Sequence, residues 1–148
     1  MTEISFHFNV PDKMAYACRL LRKAVNAGAT VEVSADSTTL AQLDLALWTF
    51  APLDFVPHCL AGGHPLNVAA SPILLGHDES PGEYRQILLN MGYELATGFE
   101  RFKKLIELVT NDDEDRQAAR ARWKHYASRG YAITRHDLAA NITAGSTA

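Results

Sequence analysis

Arg116, Arg120 and Lys124 recur every four residues, with Trp123 set among them. On an α-helix, at about 100° per residue, these four fall within roughly a 100° sector. Three cations beside a large flat apolar ring suit a ligand that is both acidic and aromatic. The planar fork of arginine matches carboxylate or phosphate, and the indole offers a surface on which a ring can lie. Basic residues late in a helix also favour its dipole and often form a plain solvated face. Two features argue for a ligand strip instead. Between Arg116 and His136 there are six Lys/Arg and no Asp or Glu, although exposed helices usually mix signs. Trp123 also lies inside the cationic sector and not opposite it.

Two anions remain open on the residues alone. Single-stranded DNA would place phosphates on the arginines and stack bases on Trp123. An acidic peptide would use the same cations, with Trp123 lining a pocket for an apolar residue. The strip is only about two turns long, whereas a nucleic-acid groove spreads its basic residues over several elements. The formal net charge is -3, which also disfavours direct DNA binding. That average conceals a polarised chain. Residues 116–148 carry six Lys/Arg against Asp137 alone, giving +5, while residues 1–115 carry eight against sixteen acids, giving -8. The basic surface is therefore expected at the C-terminal end.

Other chemistry finds little support. The first strand runs into Asn9-Val10-Pro11-Asp12 with no glycine for close phosphate approach, and no GxGxxG or GxxxxGK[ST] occurs. No cofactor is expected. His58, Cys59, His64 and His77 match no common zinc spacing, so no metal site is expected. GxSxG and HExxH are absent, and Asp54, Asp78 and Glu79 sit in turns without an acid–base partner. No catalytic residue is assigned. A second candidate partner patch lies at Trp48, Phe50, Phe55 and Val56, with Pro52 and Pro57 stiffening the loop. Trp48 follows core-facing Leu47 and so points partly off the core.

The elements that must carry these residues read as an α/β chain. Ile4, Phe6, Phe8 and Val10 alternate as a strand. Met14 to Val25 follows a helical stripe that buries Cys18 and ends at Gly28. Thr30–Val33 is the next strand, and Asp36-Ser37 caps a second helix bearing Leu40, Leu43 and Leu47. Residues 51–66 read as irregular. Strands follow at 72–75 and 87–91, then a helix near 94–102 and a strand near 104–110. A helix over roughly 112–128 begins in a run of acids and stops at Gly130, before a short extended segment at 131–133. Strands joined through helices imply a parallel sheet with right-handed crossovers. The expected fold is a single three-layer Rossmann-like α/β domain over residues 1–140. Its sheet is mostly parallel with helices on both faces, and residues 141–148 form a mobile tail. With 148 residues, 47% of them apolar, one core is enough. Two cysteines without a CxxC, no signal segment and no apolar run near 18 residues fit a cytoplasmic protein with reduced thiols.

Two segments resemble the chi subunit of bacterial DNA polymerase III holoenzyme. One is Leu43-Asp44-Leu45-Ala46-Leu47-Trp48 with Phe55-Val56-Pro57-His58-Cys59-Leu60-Ala61-Gly62. The other is Ala119-Arg120-Ala121-Arg122-Trp123-Lys124-His125-Tyr126 with Gly130-Tyr131. Together with length and layout, the resemblance covers about residues 1–135. It implies a non-catalytic accessory subunit of the clamp-loader assembly in DNA replication. It implies one surface for the acidic C-terminal tail of single-stranded DNA-binding protein, which ends in Pro-Phe. Arg116, Arg120 and Lys124 would hold its acids and terminal carboxylate, and Trp123 would help form the pocket for the terminal Phe, near the Gly130 turn. Trp123 stands where the family commonly has Tyr, so the ring is kept and a hydroxyl lost. A second face, Trp48 and Phe55 supported by Val56 and Pro57, would meet the psi subunit or an alternative partner such as a repair helicase.

Overall fold

The computed structural model describes residues 1–49, 56–77 and 85–139. Strand β1 (Glu3–Phe8) opens the chain, with Ile4, Phe6 and Phe8 on one face and Ser5 and His7 on the other. Asn9 then takes a left-handed conformation, φ 57°, which this residue type tolerates. Asp12 caps helix α1 (Lys13–Asn26) by accepting from the Ala15 N–H at 3.1 Å. Ala17, Cys18 and Leu21 form its buried stripe. Strand β2 (Val31–Ser34) and helix α2 (Ser37–Thr49) follow, with Leu43 and Leu47 buried.

Two short elements are not expected from the sequence: β3 (His58–Leu60), inside the stretch 51–66 that reads as irregular, and α3 (Pro65–Ala70), which starts at its end. A three-residue strand is too brief to show alternation. The six-residue helix starts on Pro65, behind a His64 ring that accepts from the Leu66 N–H. Strands β4 (Ile73–Leu75), β5 (Ile87–Asn90) and β6 (Lys104–Leu108), helix α4 (Asp113–Ser128) and β7 (Ile133–Asp137) complete the described elements. The helix expected near 94–102 is only a 3-10 turn at Phe99–Arg101, entered through Gly98 at φ 76°. The helical spacing of Leu95, Phe99, Phe102 and Ile106 misled. Leu95 is exposed, the two phenylalanines pack on one face of the sheet, and Ile106 packs on the other.

All seven strands are parallel, in the order β3-β4-β2-β5-β6-β1-β7. From β1 the chain crosses through α1 towards β2, whereas from β6 it crosses through α4 in the opposite direction to β7. Right-handed crossovers in opposite directions must lie on opposite faces. Accordingly, α1 and α2 cover one face over Val31, Val33, Leu75 and Leu89, while α4 covers the other over Ile4, Phe6, Leu105 and Val109. The α/β fold with a parallel sheet and helices on both faces is as expected from the sequence.

On the α1 face, His7 lies against His136 with ring centroids 4.6 Å apart and shares a short hydrogen bond with the Tyr16 hydroxyl. Burial, then the neighbouring His136 and Lys104, push the His7 imidazole down to about 4. In the unfolded chain it titrates near 6.5. The unfolded state therefore binds the extra proton first, and stability falls as pH drops from about 6.5 towards 4. Urea midpoints should decline across that window, less steeply in His7→Gln; an NMR titration of His7 centred near 6.5 would contradict this.

Candidate functional site

Helix α4 positions the cationic strip, and its seating is unusual. Its buried residues are Asp115, Ala119, Arg122 and Tyr126, spaced as one helical stripe but half of them charged. Asp115 Oδ2 accepts from the Thr110 N–H at 2.8 Å and from the Thr110 hydroxyl at 2.9 Å, and pairs with Lys13 Nζ at 2.9 Å. Arg122 Nε donates to Glu107 Oε2 at 3.1 Å, and the Tyr126 hydroxyl donates to the same oxygen at 2.5 Å. Arg122 Nη1 also donates to the Tyr93 carbonyl at 2.6 Å. Burial pushes the Glu107 carboxyl up, against the pull of Arg122. The Tyr126 phenol is pushed up by burial and by the adjacent Glu107 charge. One of the six basic residues of the strip region, Arg122, is thus interior and not part of the ligand surface.

With that stripe turned inward, Arg116, Arg120 and Lys124 are exposed and Trp123 is half-buried at the flank. The Trp123 ring lies 5.0 Å from Phe6 and 6.1 Å from Phe8, centroid to centroid. These four residues line one pocket of about 440 Å³ with Phe8, Asn9, Thr110, Ala119, Arg135 and Asp137. It opens beyond the C-terminal ends of β1 and β7. Asn9 donates to Asp137 at 2.7 Å, tying the two strand ends together. Among the described residues, Arg116, Arg120, Lys124 and Arg135 form no ion pair. Four cations thus face a pocket that holds one carboxylate, Asp137, which also accepts from the Ala139 N–H. The wall is apolar and aromatic, so the site can hold an acidic ligand with an apolar end.

The chain matches the DNA polymerase III chi subunit (HolC) family over residues 1–134. It belongs to that family. It is 34% identical over 144 residues to the DNA polymerase III subunit chi of Pseudomonas aeruginosa, covering 93% of this chain and 98% of that protein. The chi subunits of Haemophilus influenzae and Escherichia coli K12 are 29% and 30% identical, over 82% and 77% of this chain and 85% and 78% of theirs. This chi-family chain is accordingly an accessory subunit of a replication polymerase, a component of a larger complex. No helix among its described residues is long and apolar enough to cross a membrane.

Four of the five residues assigned from sequence to the acidic-tail site come together in the pocket. Gly130 does not line it; this residue, at φ 81°, makes the turn after α4. Sequence reading missed Phe8 and Arg135. The Arg135 guanidinium carbon sits 5.3 Å from the Phe8 ring centroid and 5.9 Å from that of Trp123. Its membership of the acid-free window was the available signal, but only the β1–β7 pairing places it opposite α4.

At the second candidate face, Trp48 is 56% exposed, its ring 4.9 Å from His58. Leu45, one turn earlier, is also exposed and extends that surface. Val56 is core, 2% exposed, and Pro57 is half-buried, so neither is exposed to the extent that Trp48 is. Phe55, Phe50, Pro52, Asp54, Asp78 and Glu79, and the tail from 141, lie outside the described residues. His58 is held by the Val56 carbonyl at 2.7 Å and Asp44 at 2.9 Å, His64 starts α3, and His77 lies 3.4 Å from Glu32. These are structural partners.

Removing one member of a buried ion pair leaves the other uncompensated, at a cost of about 3–5 kcal/mol. Arg122→Met should therefore lower urea stability by about that much, and Glu107→Leu with Arg122→Met should recover most of it. An unchanged single variant would mean that the pair does not seat α4.

Proposed function

We propose that the chain links the clamp-loader assembly to single-stranded DNA-binding protein by gripping that protein's acidic C-terminal tail in the pocket beside α4. The observation that carries this reading is the set of cations Arg116, Arg120, Lys124 and Arg135, which form no ion pair among the described residues, around the half-buried Trp123. The cations take the acids and the terminal carboxylate, and the Trp123–Phe8 wall takes the terminal Phe ring. Nothing in this role asks for catalysis, and the chain acts by binding alone. Trp48, with Phe55 and the supporting Val56 and Pro57, forms the face for the psi subunit, which a repair helicase could share.

The energetics suit a reversible tether. Exposed ion pairs contribute roughly 0.2–1 kcal/mol each, and burial of a Phe side chain roughly 1.5–3 kcal/mol. After association costs, the dissociation constant should be on the order of micromolar and should rise with salt. Such a hold lets the replication machinery stay with a coated strand while it moves.

Titration of the full chain with an acidic peptide ending in Pro-Phe should saturate in that range at low salt. Arg120→Ala and Lys124→Ala should each weaken it several-fold, while Trp48→Ala leaves it unchanged. No binding at low salt, or equal binding by Lys124→Ala, would remove the assignment. Tight binding of single-stranded DNA alone, lost in the same variants, would favour direct DNA binding by this strip. In co-elution with psi the pattern should reverse, with Trp48→Ala losing the complex and Arg120→Ala keeping it.

A further inference from the structure

A larger crevice, of about 1090 Å³, opens beyond the C-terminal ends of β2, β4 and β5, on the other side of Thr110 from the basic pocket. Its charge is opposite. Glu32, Asp36, Glu94 and Asp115 line it against one lysine, Lys13, and that lysine is already committed to Asp115 Oδ2 and the Met91 carbonyl. Asp115 is 1% exposed, and its second oxygen, Oδ1, has no hydrogen-bond partner among the described residues. A carboxylate buried with one oxygen unsatisfied keeps a negative potential behind the crevice wall, which favours a cation in front of it. The rim adds exposed apolar surface, with Tyr93 47% and Leu95 39% exposed. Large exposed apolar groups beside acids fit the stem of an arginine and an apolar neighbour.

We propose that this crevice receives a basic segment of a partner protein. An arginine fork reaches the exposed Glu94, with the buried Asp115 charge behind it, and an adjacent apolar side chain covers Tyr93 and Leu95. A crevice of about 1090 Å³ is far more than one small cation fills, which favours several residues of a chain. A polyamine would satisfy the acids and leave the apolar rim in water. Membership of a multi-subunit assembly supplies the setting for such a segment. Because Asp115 lines this crevice and Arg116, about 100° further round α4, lines the other pocket, the two sites select ligands of opposite sign and need not compete.

The test is an NMR titration of the ¹⁵N-labelled full chain with the end-blocked peptide Ala-Arg-Leu-Arg-Phe-Ala, and separately with spermidine. The peptide should shift amides over residues 90–97 and at Asp115, and leave those of 116–124 unmoved. Glu94→Gln and Tyr93→Ala should each weaken binding at least three-fold without lowering the thermal midpoint. The proposal is overturned if the 90–97 amides do not move, or if Tyr93→Ala binds as wild type. It is also overturned if spermidine binds as tightly as the peptide, which would reduce the crevice to a polyamine site. The readout lies on different residues from the acidic-tail site, so either reading can fail alone.

Discussion

The contact of Arg122 and Tyr126 with a single oxygen of Glu107 sets the azimuth of α4. Most amphipathic helices are seated by a stripe of aliphatic side chains, which tolerates some rotation. Here the stripe offers Ala119 and the Tyr126 ring, and the remainder is charged. Hydrogen bonds in a low-dielectric interior have directional requirements that apolar contacts lack, and an unmet one is costly. The pair need not add much net stability compared with an apolar substitute. Its contribution is to orientation, because α4 cannot roll without breaking it. Everything that α4 presents to solvent follows from that.

The second polar seat, Asp115 with Thr110 and Lys13, does for the start of α4 what Arg122 does for its middle. It also divides the surface. Parallel sheets place their strand ends, and the loops that follow, along one edge, where ligands of such folds collect. In this chain that edge is split at Thr110. The side of β1 and β7 is cationic, and the side of β2, β4 and β5 is anionic. Consecutive residues, Asp115 and Arg116, face the two sides. The net charge of -3 is thus a sum of two opposed surfaces.

The Trp48 surface is remote in kind from both. Helix α2 carries apolar residues on more than one face. Leu43 and Leu47 enter the core, while Leu45 and Trp48 remain in solvent. Large apolar side chains left in solvent side by side are unfavourable there and form a patch of the kind that interaction sites use. The His58–Asp44 contact beneath Trp48 holds the local backbone and ring in place.

The sequence by itself determined the alternating strands, the helices α1, α2 and α4, the parallel layout and the i, i+4 strip with Trp123, because these depend on local periodicity and charge. It also showed that positive charge gathers after residue 115. It could not show that Arg122 turns inward, since an arginine reads as surface until Glu107 is brought beneath it by a strand fifteen residues earlier. Nor could it place Phe8 and Arg135 beside Trp123, because that adjacency arises from β1 pairing with β7 across the whole length of the chain. The short β3 and α3, and the exposed Leu95, likewise lacked a local signal strong enough to read. Periodicity is written in neighbouring residues. Which face is inside, and which distant side chains share a pocket, was decided only when the parallel crossovers brought α4 and β7 together.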